Sequence, residues 1–188
     1  LSAWNDVRAF VQRVPANVFV VLDEAYGEYL PDELRSPTLS WLRDFPNLMV
    51  MRTLSKAYGL AGLRVGFAVA HPDAAELMNR VRQPFNVNHL AMVAALAALD
   101  DEEFIARNRE VNAKGLAQLG EGFTRLGLEY IPSHGNFITV RIGQGVPRVY
   151  GELLAAGVIV RPIAGYGMPE HLRVTVGLPE HNERFLAS

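Results

Sequence analysis

Val18-Phe19-Val20-Val21-Leu22 is a continuous apolar run that stops at Asp23. It is short and rich in β-branched residues, which predicts a strand covered on both faces. A second run, Leu48-Met49-Val50-Met51, predicts another strand beginning at Asn47 and ending near Arg52. Helical patterns flank both. Val7, Phe10, Val11 and Val14 stripe one side of a helix from about Ala3 to Val14, which Pro15-Ala16-Asn17 breaks. Turn-rich Pro31 to Ser36 leads into a short helix through Leu39 to Leu42. Alternation of helix and strand is the mark of a parallel α/β sheet. Val65 to Ala70 is a third strand, too close behind the second for a helical crossover, so it is expected to run antiparallel. Gly66 within it marks a close backbone approach.

His71-Pro72-Asp73 opens a helix from Ala74 to about Arg82, and Gln83 to Asn88 is an extended break. An alanine-rich helix follows through Leu99. Asp100-Asp101-Glu102-Glu103 is the negative first turn of the next helix, where it complements the helix dipole. That helix carries Phe104, Val111, Leu119, Phe123 and Leu126, and Gly127 ends it. The texture then changes. Strand candidates at Leu128 to Ile131, Asn136 to Arg141, Val158 to Val160 and Leu172 to Val176 surround one helix, about Val146 to Ala156. The expected class is therefore α/β. Residues 1–105 form part of a mostly parallel, helix-flanked sheet in a large domain, and residues 106–188 form a small α+β C-terminal domain. Leu1 and the stretch Glu183 to Ser188 both fall inside expected helices, which reads as a fragment of a longer polypeptide.

Composition narrows the function. A net charge of -2 gives no electrostatic case for nucleic acid or an anionic membrane. The longest apolar run, Leu90 to Leu99, is far short of the roughly 20 residues a spanning helix needs. The absence of cysteine excludes disulfides and thiolate chemistry and is compatible with a cytoplasmic location. No second histidine lies at ligand spacing from His71, and His89, His134, His171 and His181 are equally scattered, so no metal site is expected.

The chemistry gathers at Arg52-Thr53-Leu54-Ser55-Lys56-Ala57-Tyr58-Gly59-Leu60-Ala61-Gly62-Leu63-Arg64-Val65-Gly66. A lysine held just past a strand can form a Schiff base with a carbonyl compound. The hydroxyls before it, the backbone amides and an arginine eight positions on suit a phosphate. This is a seat for pyridoxal phosphate, a phosphorylated aldehyde. Asp23 and Lys56 both close strands, where ligands of open parallel sheets gather. A carboxylate there can pair with the protonated ring nitrogen, and Tyr26 can reach the ring hydroxyl. Taken alone, Asp23 reads as a helix cap and Tyr26 as core; beside the lysine motif the coenzyme roles prevail. The glycine spacing is not that of a dinucleotide loop, and it precedes a strand where that motif precedes a helix.

Asp23-Glu24-Ala25-Tyr26, Thr53 to Gly66, Pro84-Phe85-Asn86-Val87 and Leu172-Arg173-Val174-Thr175-Val176-Gly177 resemble histidinol-phosphate aminotransferase, end to end along the chain. That family belongs to the aspartate-aminotransferase-like, fold type I pyridoxal-phosphate enzymes. The resemblance implies that residues 1–105 are the C-terminal part of the coenzyme-binding large domain. It implies that Lys56 holds the coenzyme aldehyde and then moves a proton between substrate and coenzyme carbons. Ser55 and Arg64, with Thr53 nearby, would hold the phosphate; Asp23 would face the pyridine nitrogen and Tyr26 the ring oxygen. Arg173 would grip a substrate anion through its planar fork. Arg161 occupies the place of a second anion-binding arginine, although on spacing alone it reads equally as a surface residue. Asn136 reads equally as a site residue and as a turn.

The implied reaction is amino transfer from histidinol phosphate to 2-oxoglutarate in histidine biosynthesis, by a cytoplasmic homodimer acting on small molecules. Threonine-phosphate decarboxylase and aromatic-amino-acid aminotransferases share the lysine motif and the carboxylate-binding arginine. A coenzyme-free subdomain or dimerisation module is the non-enzymatic alternative. The family's earlier half supplies a glycine turn for the phosphate, a ring-stacking aromatic, an asparagine to the ring oxygen and tyrosines to the neighbouring subunit. No counterpart of these is found here, so weakened coenzyme binding is expected of this chain alone.

Overall fold

The computed structural model describes residues 3–188. The expectation that the chain opens inside a helix falls at Leu1 and Ser2, outside the described residues. The chain divides into two compact units, Leu1–Ile105 and Ala106–Ser188.

The first unit begins with α1 (Trp4–Arg13), whose Val11 is fully buried and whose Asp6 and Arg13 sit at the helix ends that favour their charges. Strands β1 (Val20–Asp23) and β2 (Leu48–Thr53) pair in parallel, Val20 opposite Leu48 and Asp23 opposite Met51. Between them lies α2 (Thr38–Trp41). Strand β3 (Gly66–Ala70) pairs antiparallel with β2. Val11, Val20, Trp41, Leu48 and Val50 form one core, with Trp4 set edge-on to Trp41 at 6.5 Å. The expected two-sided cover of β1 does not hold. Val21 is 51% exposed, and Met51 on the same face is also exposed, so that face of the sheet is not fully covered among the described residues.

Two helices complete this unit. In α3 (Pro72–Val81) the His71 ring nitrogen accepts the Asp73 N–H at 3.3 Å, and in α4 (His89–Leu99) the Asn88 side chain accepts the Ala91 N–H at 2.9 Å. The long helix α5 (Glu102–Arg125) crosses the division between the units; the Asp101 carboxylate accepts the Phe104 N–H at 2.9 Å. No helix among the described residues is long and apolar enough to cross a membrane.

The second unit is a four-stranded antiparallel sheet in the order β4 (Tyr130–Ile131), β5 (Phe137–Arg141), β7 (Met168–Thr175), β6 (Arg161–Ile163). Helices α6 (Val146–Ala155) and α7 (Pro179–Ala187) join α5 around a core of Leu119, Phe123, Ile138, Val140, Val146, Leu153, Val160, Leu172 and Val174. The strand expected at Val158 to Val160 lies instead at Arg161–Ile163. The reason is local: the Gly157 and Val158 N–H groups bond the Leu154 and Leu153 carbonyls and finish α6. The expected apolar face of α5 is also corrected. Val111 and Leu126 are exposed, whereas Asn112, Gly115, Gly120 and Gly122 join Leu119 and Phe123 on the buried side. At Gly122 a Cβ would overlap Leu186 of α7, so the helices meet where the sequence has no side chain.

Candidate active site

In the first unit the parallel pairing sets the ends of β1 and β2 side by side. Asp23 ends β1, and its Oδ1 accepts the Ala25 N–H at 3.0 Å. Thr53 ends β2, and its hydroxyl accepts the Ser55 N–H at 3.1 Å, turning the chain towards Lys56. The Lys56 ammonium lies 5.4 Å from the centroid of the Tyr26 ring. Neither Lys56 nor Asp23 has an ion-pair partner among the described residues. The loop returns through Arg64, a non-glycine residue at φ 55°, whose Nη1 donates to the Ala61 carbonyl at 2.8 Å. Thr53, Ser55 and Arg64 line one open cavity of about 570 Å³. Lys56, Tyr26 and Asp23 do not line it.

Gly66 is what lets the returning strand lie on β2. A Cβ there would stand 2.8 Å from the Arg52 carbonyl oxygen, which cannot withdraw from the ladder. Gly66→Ala is therefore expected to cost about 1–3 kcal/mol, the usual range for overpacking. Urea unfolding measures it; a change within error would show that β3 can shift freely.

Sequence reasoning missed an ionic cluster beneath this surface. Arg52 Nη2 bonds Glu24 Oε2 at 2.9 Å, and Nη1 lies 3.7 Å from Glu28 Oε1. Glu24 also accepts the Ser36 and Thr38 hydroxyls. The one signal in the sequence was Glu24 itself, a second acid directly after the strand-ending Asp23. Burial pushes the Glu28 carboxyl above its ordinary value of 4.5, outweighing the pull of its own backbone N–H and of Arg52, with Glu24 adding to the rise. Burial, with Glu28 nearby, likewise raises the Tyr58 hydroxyl.

A raised acid releases its proton more easily from the unfolded chain. Its contribution to stability is therefore whole below pH 4.5 and falls as pH rises through the folded value. Glu28→Gln is expected to remove that slope, so the variant's stability advantage over the parent grows from acid to neutral pH. Urea midpoints across the range check this; parallel profiles would contradict it.

In the second unit Arg161 and Arg173 are directly opposite each other on β6 and β7. Opposite residues of an antiparallel pair point to the same face, and like charges there repel. Neither has an ion pair among the described residues. Arg173 lies 4.9 Å over the Phe137 ring, and its Nε is buried without a hydrogen-bond partner. Two adjacent guanidinium groups without a counter-ion suit an anion. Asn136 accepts the Val176 N–H through its backbone carbonyl at 2.9 Å, which extends the β5 to β7 pairing. No group of three potential metal ligands is present among the described residues.

A mixed α/β sheet with a lysine and a carboxylate at neighbouring strand ends defines the fold type I aminotransferase architecture. Over residues 1–188 the chain matches the family profile described as "Aminotransferase class I and II", and it belongs to that family. It is 56% identical over 184 residues to histidinol-phosphate aminotransferase 2 of Nitrosospira multiformis, covering 98% of this chain and 47% of the relative. It is 59% identical over 183 residues to histidinol-phosphate aminotransferase 1 of Dechloromonas aromatica, covering 97% and 50%. Among solved structures, histidinol-phosphate aminotransferase from Sinorhizobium meliloti in complex with pyridoxal-5'-phosphate superposes with a TM-score of 0.90 at 29% identity, over 100% of this chain and 52% of that one. The chain thus spans about half the length of the curated relatives it matches.

Proposed function

We propose that this chain is the lysine-bearing part of a pyridoxal-phosphate-dependent aminotransferase that transfers the amino group of histidinol phosphate to 2-oxoglutarate, in histidine biosynthesis. The observation that carries the reading is the Lys56 amine, 5.4 Å from the Tyr26 ring without an acidic partner, one strand away from Asp23, whose carboxylate likewise has no ion pair among the described residues. The donor set fits the coenzyme: the Thr53 and Ser55 hydroxyls and the Arg52, Arg64 and Arg82 guanidinium groups line one cavity, and a carboxylate ends β1 while an amine follows the end of β2.

When bound, pyridoxal phosphate supplies an electron sink that stabilises negative charge on the substrate carbon. The residues do the rest. Lys56 Nζ would hold the coenzyme through its aldehyde, with loss of water, and as a free amine would serve as the acid–base group that moves the proton. Asp23 keeps the ring nitrogen protonated, and Tyr26 donates to the ring oxygen. Ser55 and Arg64, with Thr53 beside them, hold the phosphate dianion. The Ser55 hydroxyl makes no hydrogen bond among the described residues, so it is free to donate. Arg161 and Arg173 take the anionic groups of the substrates, a phosphate in the donor and carboxylates in the acceptor. Residues 1–105 serve as part of the coenzyme-binding domain and residues 106–188 as the small C-terminal domain, in a cytoplasmic homodimer.

The test uses the full chain, whose only lysines are Lys56 and Lys114. Incubation with pyridoxal phosphate, borohydride reduction and peptide mass spectrometry should place the coenzyme mass on Lys56. Labelling of Lys114 alone would refute the coenzyme site. A panel of histidinol phosphate, phenylalanine and threonine phosphate, each offered to the loaded protein, then reads the substrate. Carbon dioxide release from threonine phosphate, or a preference for phenylalanine, would reassign the reaction.

A further inference from the structure

The ionic cluster joins two carboxylates with no role in the reading above, Glu24 and Glu28, to Arg52, which lines the same cavity as Thr53, Ser55 and Arg64. Its side chains are 24% exposed at Arg52, 7% at Glu24 and 8% at Glu28. Neither Glu28 oxygen, nor Arg52 Nε, has a hydrogen-bond partner among the described residues. Burying two carboxylates against one guanidinium is a poor way to gain stability, because desolvation offsets the attraction. Its placement suggests another use. Glu24 directly follows Asp23, Glu28 lies two residues beyond Tyr26, and Arg52 lies four residues before Lys56. The backbone ladder carries β1 and β2 together as far as the Glu24 N–H to the Met51 carbonyl, 2.9 Å. Arg52 then continues the tie with side chains, across the gap where the candidate groups stand.

We propose that Arg52 is a positioning residue for Lys56: clamped by Glu24 and Glu28, it locks the lysine-bearing end of β2 to the segment that carries Asp23 and Tyr26. A planar fork can engage two carboxylates at once, which a lysine ammonium in its place does not do with the same geometry. The position of Lys56 can be read without coenzyme, and only the second arm below rests on the coenzyme reading.

Reductive methylation with 13C-formaldehyde gives one dimethyl signal from each of the two lysines, beside that of the terminal amine. Lys114 is 74% exposed on α5 and serves as the reference. Lys56, 5.4 Å from the Tyr26 ring, should be displaced from it by the ring current. In Arg52→Met the Lys56 signal should collapse towards the Lys114 position while urea unfolding stays cooperative. Should that variant fail to fold, Arg52→Gln, which adds no amine, carries the same readout. In the second arm, unmodified Arg52→Gln should fix coenzyme on Lys56 at a rate lowered by up to roughly 100-fold, the cost a misplacement near 1 Å can carry.

A folded variant whose Lys56 signal keeps its parental position overturns the proposal, since a purely structural role would leave it there. If the signal moves but the parent never captures coenzyme on Lys56, positioning stands and the coenzyme reading fails.

Discussion

Lys56→Ala is expected to abolish borohydride-stable attachment of pyridoxal phosphate. Alanine offers no nucleophile, and Lys114, the other lysine, is exposed and paired with Glu110 at 2.6 Å on α5. Reversible binding should persist, because Ser55, Arg64 and Asp23 are untouched. Any half-reaction the loaded parent performs should fall by roughly 10²–10⁴-fold or more, the contribution expected of one positioned acid–base group. The fold should survive: the amine's contact with the Tyr26 ring is worth about 0.5–1 kcal/mol at a partly exposed site. Mass spectrometry of the reduced complex and a urea midpoint measured together separate the outcomes. Coenzyme mass still fixed on an alanine variant that unfolds normally would remove Lys56 from the chemistry.

The second large effect concerns stability. Phe123 is 1% exposed in α5 and sits 6.0 Å from the Phe185 ring, edge-on, and 5.9 Å from Tyr130. Phe123→Ala should cost about 3–5 kcal/mol, from lost transfer free energy plus the cavity left behind. That is a large part of the roughly 5–15 kcal/mol that holds a typical domain together. The change should reach β6 and β7, since Val160, Leu172 and Val174 share the same core. The pairing of Arg161 with Arg173 should loosen with it. Urea unfolding followed by near-ultraviolet circular dichroism reads the loss; a shift below about 1 kcal/mol would mean that the core refills the space.

Much of the candidate site was legible because its residues lie in contiguous stretches. Thr53, Ser55 and Lys56 follow one apolar run and Asp23 closes another, so strand ends could be read as ligand ends before any coordinates. The third strand could be oriented as well, because a tight return leaves no room for a crossover helix. The Arg52 cluster was hidden by distance along the chain: Arg52 and Glu24 are 28 residues apart, and only the parallel register of β1 and β2 brings them together. The same holds for Arg161 and Arg173, whose antiparallel pairing alone makes them neighbours. The face of α5 was misread because its contact surface is built from Gly115, Gly120, Gly122 and Asn112, which hydrophobicity does not mark. One strand was misplaced because the Gly157 and Val158 amides serve the end of α6.

Local structure, then, was already written in the order of residues: where helices start, where strands stop, and which amine and which carboxylate stand near those stops. These depend on capping, periodicity and turn geometry, all short-range along the chain. Which charges face each other, which sheet face stays partly bare and where helices touch through glycine were decided only in three dimensions. Strand register and packing bring distant residues within a few ångströms, and no pattern along the chain encodes those separations.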